Sequence, residues 1–224
     1  FIHGNWALCN SRRDGKWCGV NNELKVLSET GCYADFTLPS APSETQTKKI
    51  NSIYYAKGIS NRPKSHNTGV DVESGCEYDG ELMIVQGPLA LNFKKRKFGI
   101  IPSIENGEIT LNNPPTKNRV DLWVDQKISV KGRPEWIFLK IHTHGANNNN
   151  LKKEFFLNLD KMFSYLEDKY NDGVNYKLHY VTAREMFNII KAAEAGENGE
   201  PGQYKDYKLV SMLKNYQESK NENE

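Results

Sequence analysis

His142 and His144 stand two residues apart at the end of Trp136-Ile137-Phe138-Leu139-Lys140-Ile141-His142-Thr143-His144-Gly145. Side chains alternate along an extended chain, so the spacing predicts two imidazoles on one face at the C-terminal end of a strand. In parallel α/β folds that end gathers ligands and catalytic groups. Imidazole can carry a proton at neutral pH or ligate a metal, so a His-x-His there marks the edge of an active site. The competing reading is two hydrogen-bonded polar groups where the chain leaves the core.

Other candidates cluster near the beginning of the chain. His3 shares a predicted strand face with Asn5, and the pair could orient a sugar or a metal-bound water. Asp35 sits inside the apolar run Cys32–Leu38, where a carboxylate must be paired or face a pocket. His66 reads as a loop residue on a loop that could fold over the site. His179, in mid-strand, reads as structural. Trp6, Trp17, Tyr54 and Tyr55 would suit stacking on sugar rings.

These groups need elements to hold them. Asn21 and Gly31 bracket a predicted helix with Leu24 and Leu27 as its buried stripe, followed by a strand from Cys32 that stops at Pro39. With the opening run from Phe1, this gives strand, helix, strand with the spacing of a parallel unit. Phe155, Leu159, Met162, Phe163 and Leu166 recur at helical spacing within 151–170, which predicts a core-packed helix. Tyr176–Val181 reads as a strand, and Thr182 with Glu185 forms a capping-box signature for a helix over 183–195. Val120, Trp123, Val124 and Ile128 predict a helix over 118–129. Between Ser40 and Pro134 the pattern is irregular, with short strand candidates at Ile50–Tyr55, Leu82–Gln86 and Gly107–Leu111 separated by Gly, Pro and Asn.

The expected fold is α/β. Four strand candidates alternate with helices where a closed barrel needs seven or eight, so the chain reads as the later part of a distorted (β/α) barrel, cut at its N-terminus. The barrel portion would span 1–196, with an irregular insertion at about 56–118. A polar extension over 197–224 would be at least partly disordered.

Composition limits the function classes. The 224 residues carry 30 Lys and Arg against 28 Asp and Glu, a balance that does not argue for nucleic acid. The basic run Lys94-Lys95-Arg96-Lys97 reads as a solvated turn. The polar composition fits a soluble protein, and the longest apolar runs are far too short to span a bilayer. The four cysteines, Cys9, Cys18, Cys32 and Cys76, lack the paired spacing of a structural zinc site. Cys9 and Cys18 could pair across a loop, or the thiols could be buried and free, and the compartment stays open between cytoplasm and an oxidising space.

His3-Gly4-Asn5-Trp6-Ala7-Leu8, Cys18-Gly19-Val20-Asn21-Asn22-Glu23-Leu24 and Gly31–Pro42 resemble a divergent group of the polysaccharide deacetylase superfamily, the NodB-like carbohydrate esterases. The resemblance covers Phe1–Tyr55 and Trp136–Ala195. It implies a distorted (β/α) barrel and a divalent metal such as zinc, held by one Asp and two His. The metal would activate water against an acetyl group on a polysaccharide or oligosaccharide. By the same resemblance Leu139 and His142 match a late Leu-x-x-His motif, which makes His142 the candidate general acid. Pro39 is retained from an Arg-x-Pro motif in which Thr37 replaces the Arg. The early Asp-Asp and His-x-x-x-His motifs have no counterpart here.

The candidate assignment is therefore His142 and Asp35 as catalytic groups, Asn5, Trp6 and His66 as substrate contacts, and His3 and His144 as metal ligands. Two other expectations compete with a deacetylase. One is a non-catalytic carbohydrate-binding barrel, favoured by the missing motifs. The other is a glycoside hydrolase pairing Asp35 with Glu73 or Asp79.

Overall fold

The computed structural model describes residues 1–17, 20–40, 42–58, 61–78, 82–144 and 147–211. The fold is mixed α/β, with four α-helices and two sheets among these residues.

The main sheet contains β1 (Ala34–Asp35), β2 (Ile53–Ala56), β3 (Gly69–Asp71) and β4 (Leu82–Val85), in the order β1-β4-β2-β3. β1 and β4 run parallel, whereas β2 is antiparallel to both of its neighbours. Every residue of β2 and β4 is buried, because apolar layers cover both faces. Ala34, Ile53, Tyr55, Met83 and Val85 face one core with Met186, Phe187, Ile189 and Ile190. The alternate residues Tyr54, Ala56, Leu82 and Ile84 face a second core with Leu8, Leu24 and Leu38. The sequence between 56 and 118 reads as an insertion, yet it supplies β3 and the central strand β4. A strand buried on both faces shows no polar alternation, so its pattern carries little directional signal.

The opening residues join this sheet for one residue only. The Phe1 ammonium donates to Ala34 O at 2.7 Å and Phe36 N–H donates to Phe1 O at 2.8 Å, the spacing of a parallel pair around Asp35. The chain then turns at Gly4-Asn5, so the predicted opening strand is not continued, and Phe1 and Ile2 are exposed. The strands expected at 136–141 and 176–181 are also outside any ladder. Among the described residues the sheet does not close on itself.

The four helices form where sequence signals put them, but the one expected over 118–129 stops at Val124 and leaves Ile128 to the first core, and Phe163 of the expected core stripe is 41 % exposed. α1 (Glu23–Glu29) ends at Gly31, whose φ of 86° lets Cys32 N–H reach Leu27 O. Its expected cap Asn21 instead accepts from Asn10 Nδ2 at 3.1 Å. α2 (Lys117–Val124) and α3 (Lys153–Tyr170) bury Val120, Trp123, Phe155, Met162 and Leu166 in a third core with Ile109, Leu139 and Ile141. α2 and α3 are also tied by Asp121, which accepts from Tyr165, Lys169 and Tyr170 within 2.8 Å. α4 (Ala183–Glu194) begins at the expected capping box of Thr182 and Glu185. No helix among the described residues is long and apolar enough to cross a membrane.

Residues 197–211 of the polar extension pack against α4 and the first core. Asn188, fully buried on α4, donates to Lys205 O and Leu209 O and accepts from Lys208 N–H and Leu209 N–H. This one amide uses its full bonding capacity on a segment whose Tyr204, Tyr207 and Leu209 also pack against the first core. Residues 212–224 lie outside the described residues. Asn188→Ala should loosen the segment at a cost of about 1–3 kcal/mol, since Lys208 N–H and Leu209 N–H lose their acceptor while Lys205 O and Leu209 O keep Arg184. Faster hydrogen exchange at Lys208 and Leu209, with the sheet unchanged, would be the readout.

A second sheet is the hairpin of β5 (Ala90–Lys97) and β6 (Ile101–Glu105), which stands on α2.

Candidate active site

The segment carrying the two histidines passes between the first core, which takes Trp136 and Phe138, and the third, which takes Leu139 and Ile141. It is fixed along both sides. On one side Lys140 Nζ donates to Phe36 O at 2.7 Å and Leu38 O at 2.6 Å. On the other, His142 N–H donates to Gly107 O at 3.2 Å and Ile109 N–H donates to His142 O at 2.9 Å. The fit requires glycine at two points. A Cβ on Gly87 would lie 3.0 Å from Lys140 O, and one on Gly107, where φ is 72°, would lie 3.2 Å from the Pro88 ring.

The segment that receives His142, where an isolated parallel bridge at Glu108 replaces the strand expected over Gly107–Leu111, is positioned by a buried ion pair. Arg119 Nε and Nη2 donate to the two Glu105 oxygens at 2.6 and 2.7 Å, and Trp123 Nε1 and Gly107 N–H donate to the same carboxylate. The remaining guanidinium hydrogens reach Asn113 O, Pro114 O and Glu108 O. Burial raises the Glu105 pKa, but the hydrogen bonds from Arg119 and Trp123 outweigh it and the net shift is downward. Arg119 and Glu105 were not legible as partners because they lie 14 residues apart in irregular chain.

Beyond Gly145 and Ala146, the loop is held by Asn150. Its Oδ1 accepts from Leu111 N–H at 3.1 Å and its Nδ2 donates to His144 O at 3.0 Å. The polar run 147–150 reads as a plain solvated loop, yet this last asparagine is buried.

A cavity of about 530 Å³ opens where these elements meet. The imidazoles of His142 and His144 lie on it with ring centres 6.5 Å apart, and the Trp6 indole stands 5.5 Å from the first and 6.0 Å from the second. His3, Thr37, Pro39 and Lys140 complete its polar and strand-derived wall, and Thr182, Ala183 and Met186 close it from α4. Both nitrogens of His142 are buried without a hydrogen-bond partner. Burial, reinforced by the charge of Lys140, pushes its pKa down to about 4. The ring is therefore neutral at pH 7, able to take a proton or offer a lone pair.

His3 is placed on the cavity by its neighbours. Thr37 Oγ1 accepts from His3 N–H at 2.7 Å and donates to Asp35 Oδ2 at 2.6 Å, while Asn5 N–H donates to His3 Nδ1 at 3.2 Å. With Nδ1 occupied as an acceptor, neutral His3 carries its proton on Nε2 and presents a donor. That differs from the lone pair expected of a metal ligand. Asn5 itself is exposed and absent from the cavity wall. The turn after His3 breaks the alternation that would have put both on one face, and it turns Trp6, at φ 54°, towards the histidines.

Asp35 is not a cavity residue. It is 0 % exposed and accepts from Thr37 N–H and Thr37 Oγ1. Burial pushes its carboxyl pKa up and that of Lys140 down to about 7. It acts on the site through Thr37, as a positioning group beneath it.

His66 is also displaced from its expected role. It is fully buried, its Nε2 lies 3.2 Å from Thr45 O, and its own carbonyl accepts from Tyr54 OH. The loop it occupies packs inward and does not line the cavity. Tyr54 and Tyr55 are core residues, and Trp17 stacks on Arg12 at 4.4 Å. Glu73 is paired with Lys131 at 2.7 Å, and Asp79 and Cys18 lie outside the described residues.

The histidines also set a pH dependence of stability. Burial lowers the His66 pKa to about 4, as it does that of His142. Between about pH 4.5 and 6.5 the unfolded chain takes up protons that the folded chain refuses, so stability rises with pH across that window. His66, the more buried of the two, should account for a loss on the order of 3 kcal/mol as pH falls through it. His66→Gln, which retains a donor for Thr45 O, should flatten the pH dependence measured by urea unfolding. An unchanged slope would remove His66 as its source.

No group of three His, Cys, Asp or Glu able to hold a metal occurs among the described residues. Two imidazoles on one tetrahedral zinc have ring centres roughly 5 Å apart, and those of His142 and His144 are farther than this. The described donors therefore do not complete a metal centre.

Polar cavity residues that the sequence did not place at the site are Thr37, Lys140, Thr143 and Thr182. The charged Lys140 inside the apolar run Ile137–Ile141 was the available signal, because a lysine there must find oxygen partners.

Comparison with protein-family models, with curated proteins and with solved structures finds no match to this chain.

Proposed function

We propose that the chain is a polysaccharide deacetylase-like hydrolase, whose cavity takes an acetylated glycan and whose His142 handles the proton in removal of the acetyl group. The observation that carries this reading is His142 itself: a neutral imidazole with both nitrogens buried and unpartnered on the wall of a cavity. A neutral imidazole is both a proton acceptor and a proton donor, so this ring on a cavity wall suits proton transfer.

In this reading a sugar ring stacks on Trp6, and His3 Nε2–H donates to the acetyl or a neighbouring hydroxyl oxygen. His142 accepts a proton from the water as its oxygen bonds to the acetyl carbon. The imidazolium then returns the proton to the sugar nitrogen or oxygen as the bond from that atom to carbon breaks, leaving acetate and a free amine or hydroxyl. This assigns His142 the role of base first and acid second, as its low pKa favours. A divalent ion such as zinc belongs to the resemblance and would need donors beyond His142 and His144. A (β/α) barrel also belongs to this reading, supported by the parallel run of Phe1, β1 and β4 and not by the antiparallel β2.

The test is acetate release from acetylated chitooligosaccharides and acetylated xylan, with and without added zinc. Release that is lost in His142 variants supports the proposal. Glycan binding with no release in either condition favours the non-catalytic carbohydrate-binding cleft instead. The absence of any carboxylate among the described lining residues weighs against a glycoside hydrolase, which needs two flanking the bond. Under that third reading Asp35→Asn would abolish glycan cleavage.

A further inference from the structure

The hairpin of β5 and β6 presents a surface that the fold does not use. Its inner residues Asn92, Ser103 and Glu105 are buried, and Asn118 on α2 donates to Asn92 Oδ1 at 3.1 Å. Its outer side and tip expose Leu91, Phe93, Ile101 and Ile104, with Phe98 92 % and Ile100 76 % exposed. Beside them Lys94, Lys95, Arg96 and Lys97 are exposed. No ion pair among the described residues involves any of these four cations. Lys95 reaches only Asn113 Oδ1, and Arg96 reaches the carbonyls of Phe93 and Ile100.

The tip residue is costly for the fold. Ile100 N–H donates to Lys97 O across a turn whose central residues, Phe98 and Gly99, have φ of 52° and 71°. Two positive φ values favour Asn-Gly, and a phenylalanine in the first position is strained. Phe98 gains no packing in return.

We propose that this hairpin is an interfacial anchor, which docks the protein on a bilayer surface carrying anionic lipid headgroups. The apolar tip would enter the boundary between headgroups and acyl chains while the four cations meet the lipid charge, the pairing by which peripheral proteins hold such surfaces. A soluble polyanion would engage the cations and leave Phe98 and Ile100 without a use. A second copy pairing edge to edge would bring two sets of four cations together.

Co-sedimentation of the full chain with vesicles tests this, using phosphatidylcholine alone and phosphatidylcholine with about one quarter phosphatidylserine. Binding should be confined to the anionic vesicles and weaken at high salt. The variant Phe98→Asn/Ile100→Ser places the favoured residue in the turn, so it folds, and it should bind at least about tenfold more weakly. Failure to bind anionic vesicles would overturn the proposal. So would equal vesicle binding by the variant together with equal retention on heparin, which would make the surface a polyanion site. Light scattering that finds a dimer dissociated by the variant, with no vesicle binding, would make it a self-association surface.

Discussion

Arg119→Ala is expected to lower the unfolding free energy by about 3–5 kcal/mol, the range for removing one partner of a buried, fully bonded ion pair. The loss is large because Glu105 would keep a desolvated charge with only Trp123 Nε1 and Gly107 N–H as donors. Pro114 O would also lose its donor, whereas Asn113 O keeps Thr110 N–H and Glu108 O keeps Asn113 Nδ2. The double variant Arg119→Met/Glu105→Gln should cost less than the sum of the single changes, since it leaves no unpaired charge. As the Glu105 pKa is lowered on folding, the pair's contribution is present above the ordinary carboxylate range and disappears as pH falls through the folded value. Urea unfolding at neutral and acid pH measures both. A loss below about 1 kcal/mol would mean that the ion pair does not hold the segment. Because Gly107 and Ile109 carry the His142 backbone, the same variant should also reduce hydrolysis of any glycan substrate.

His142→Phe is expected to separate activity from stability. Phenylalanine keeps a ring against Trp6 but removes two buried nitrogens that have no partner. The folded state should therefore be as stable as the parent or about 1 kcal/mol more so. Acetate release should fall by about 10²–10⁴-fold, the usual share of a general acid–base group. In the parent, kcat/KM should be level through neutral pH and fall as His142 is protonated near pH 4. Activity of His142→Phe within tenfold of the parent would remove His142 from the mechanism. A large loss of stability would make it a structural residue. A gain in stability with a loss of hydrolysis is what a residue retained for function produces.

Local signals in the sequence held where they depended on near neighbours. The stripe through Phe155, Met162 and Leu166, the capping box at Thr182 and Glu185, and the glycine end at Gly31 all appear where the spacing put them. The pairing of His142 and His144 on one cavity was legible for the same reason. Where a reading needed distant chain, it missed. β4 was taken as part of an insertion, although it sits between β1 and β2. His66, read as a loop residue and substrate contact, is fully buried with its Nε2 against Thr45 O. Asn5 left the expected face after a single turn.

The sequence by itself therefore determined that the four helices form, where α1 ends and α4 begins, and which two imidazoles stand together, because those follow from backbone periodicity and hydrogen bonds within a few residues. Only the tertiary structure decided that Asp35 supports the site from beneath, that Lys140 and Thr37 line it, and that Arg119 and Glu105 hold it. These depend on contacts between residues distant in the chain, where burial removes water and leaves each polar group only the partners that packing brings to it.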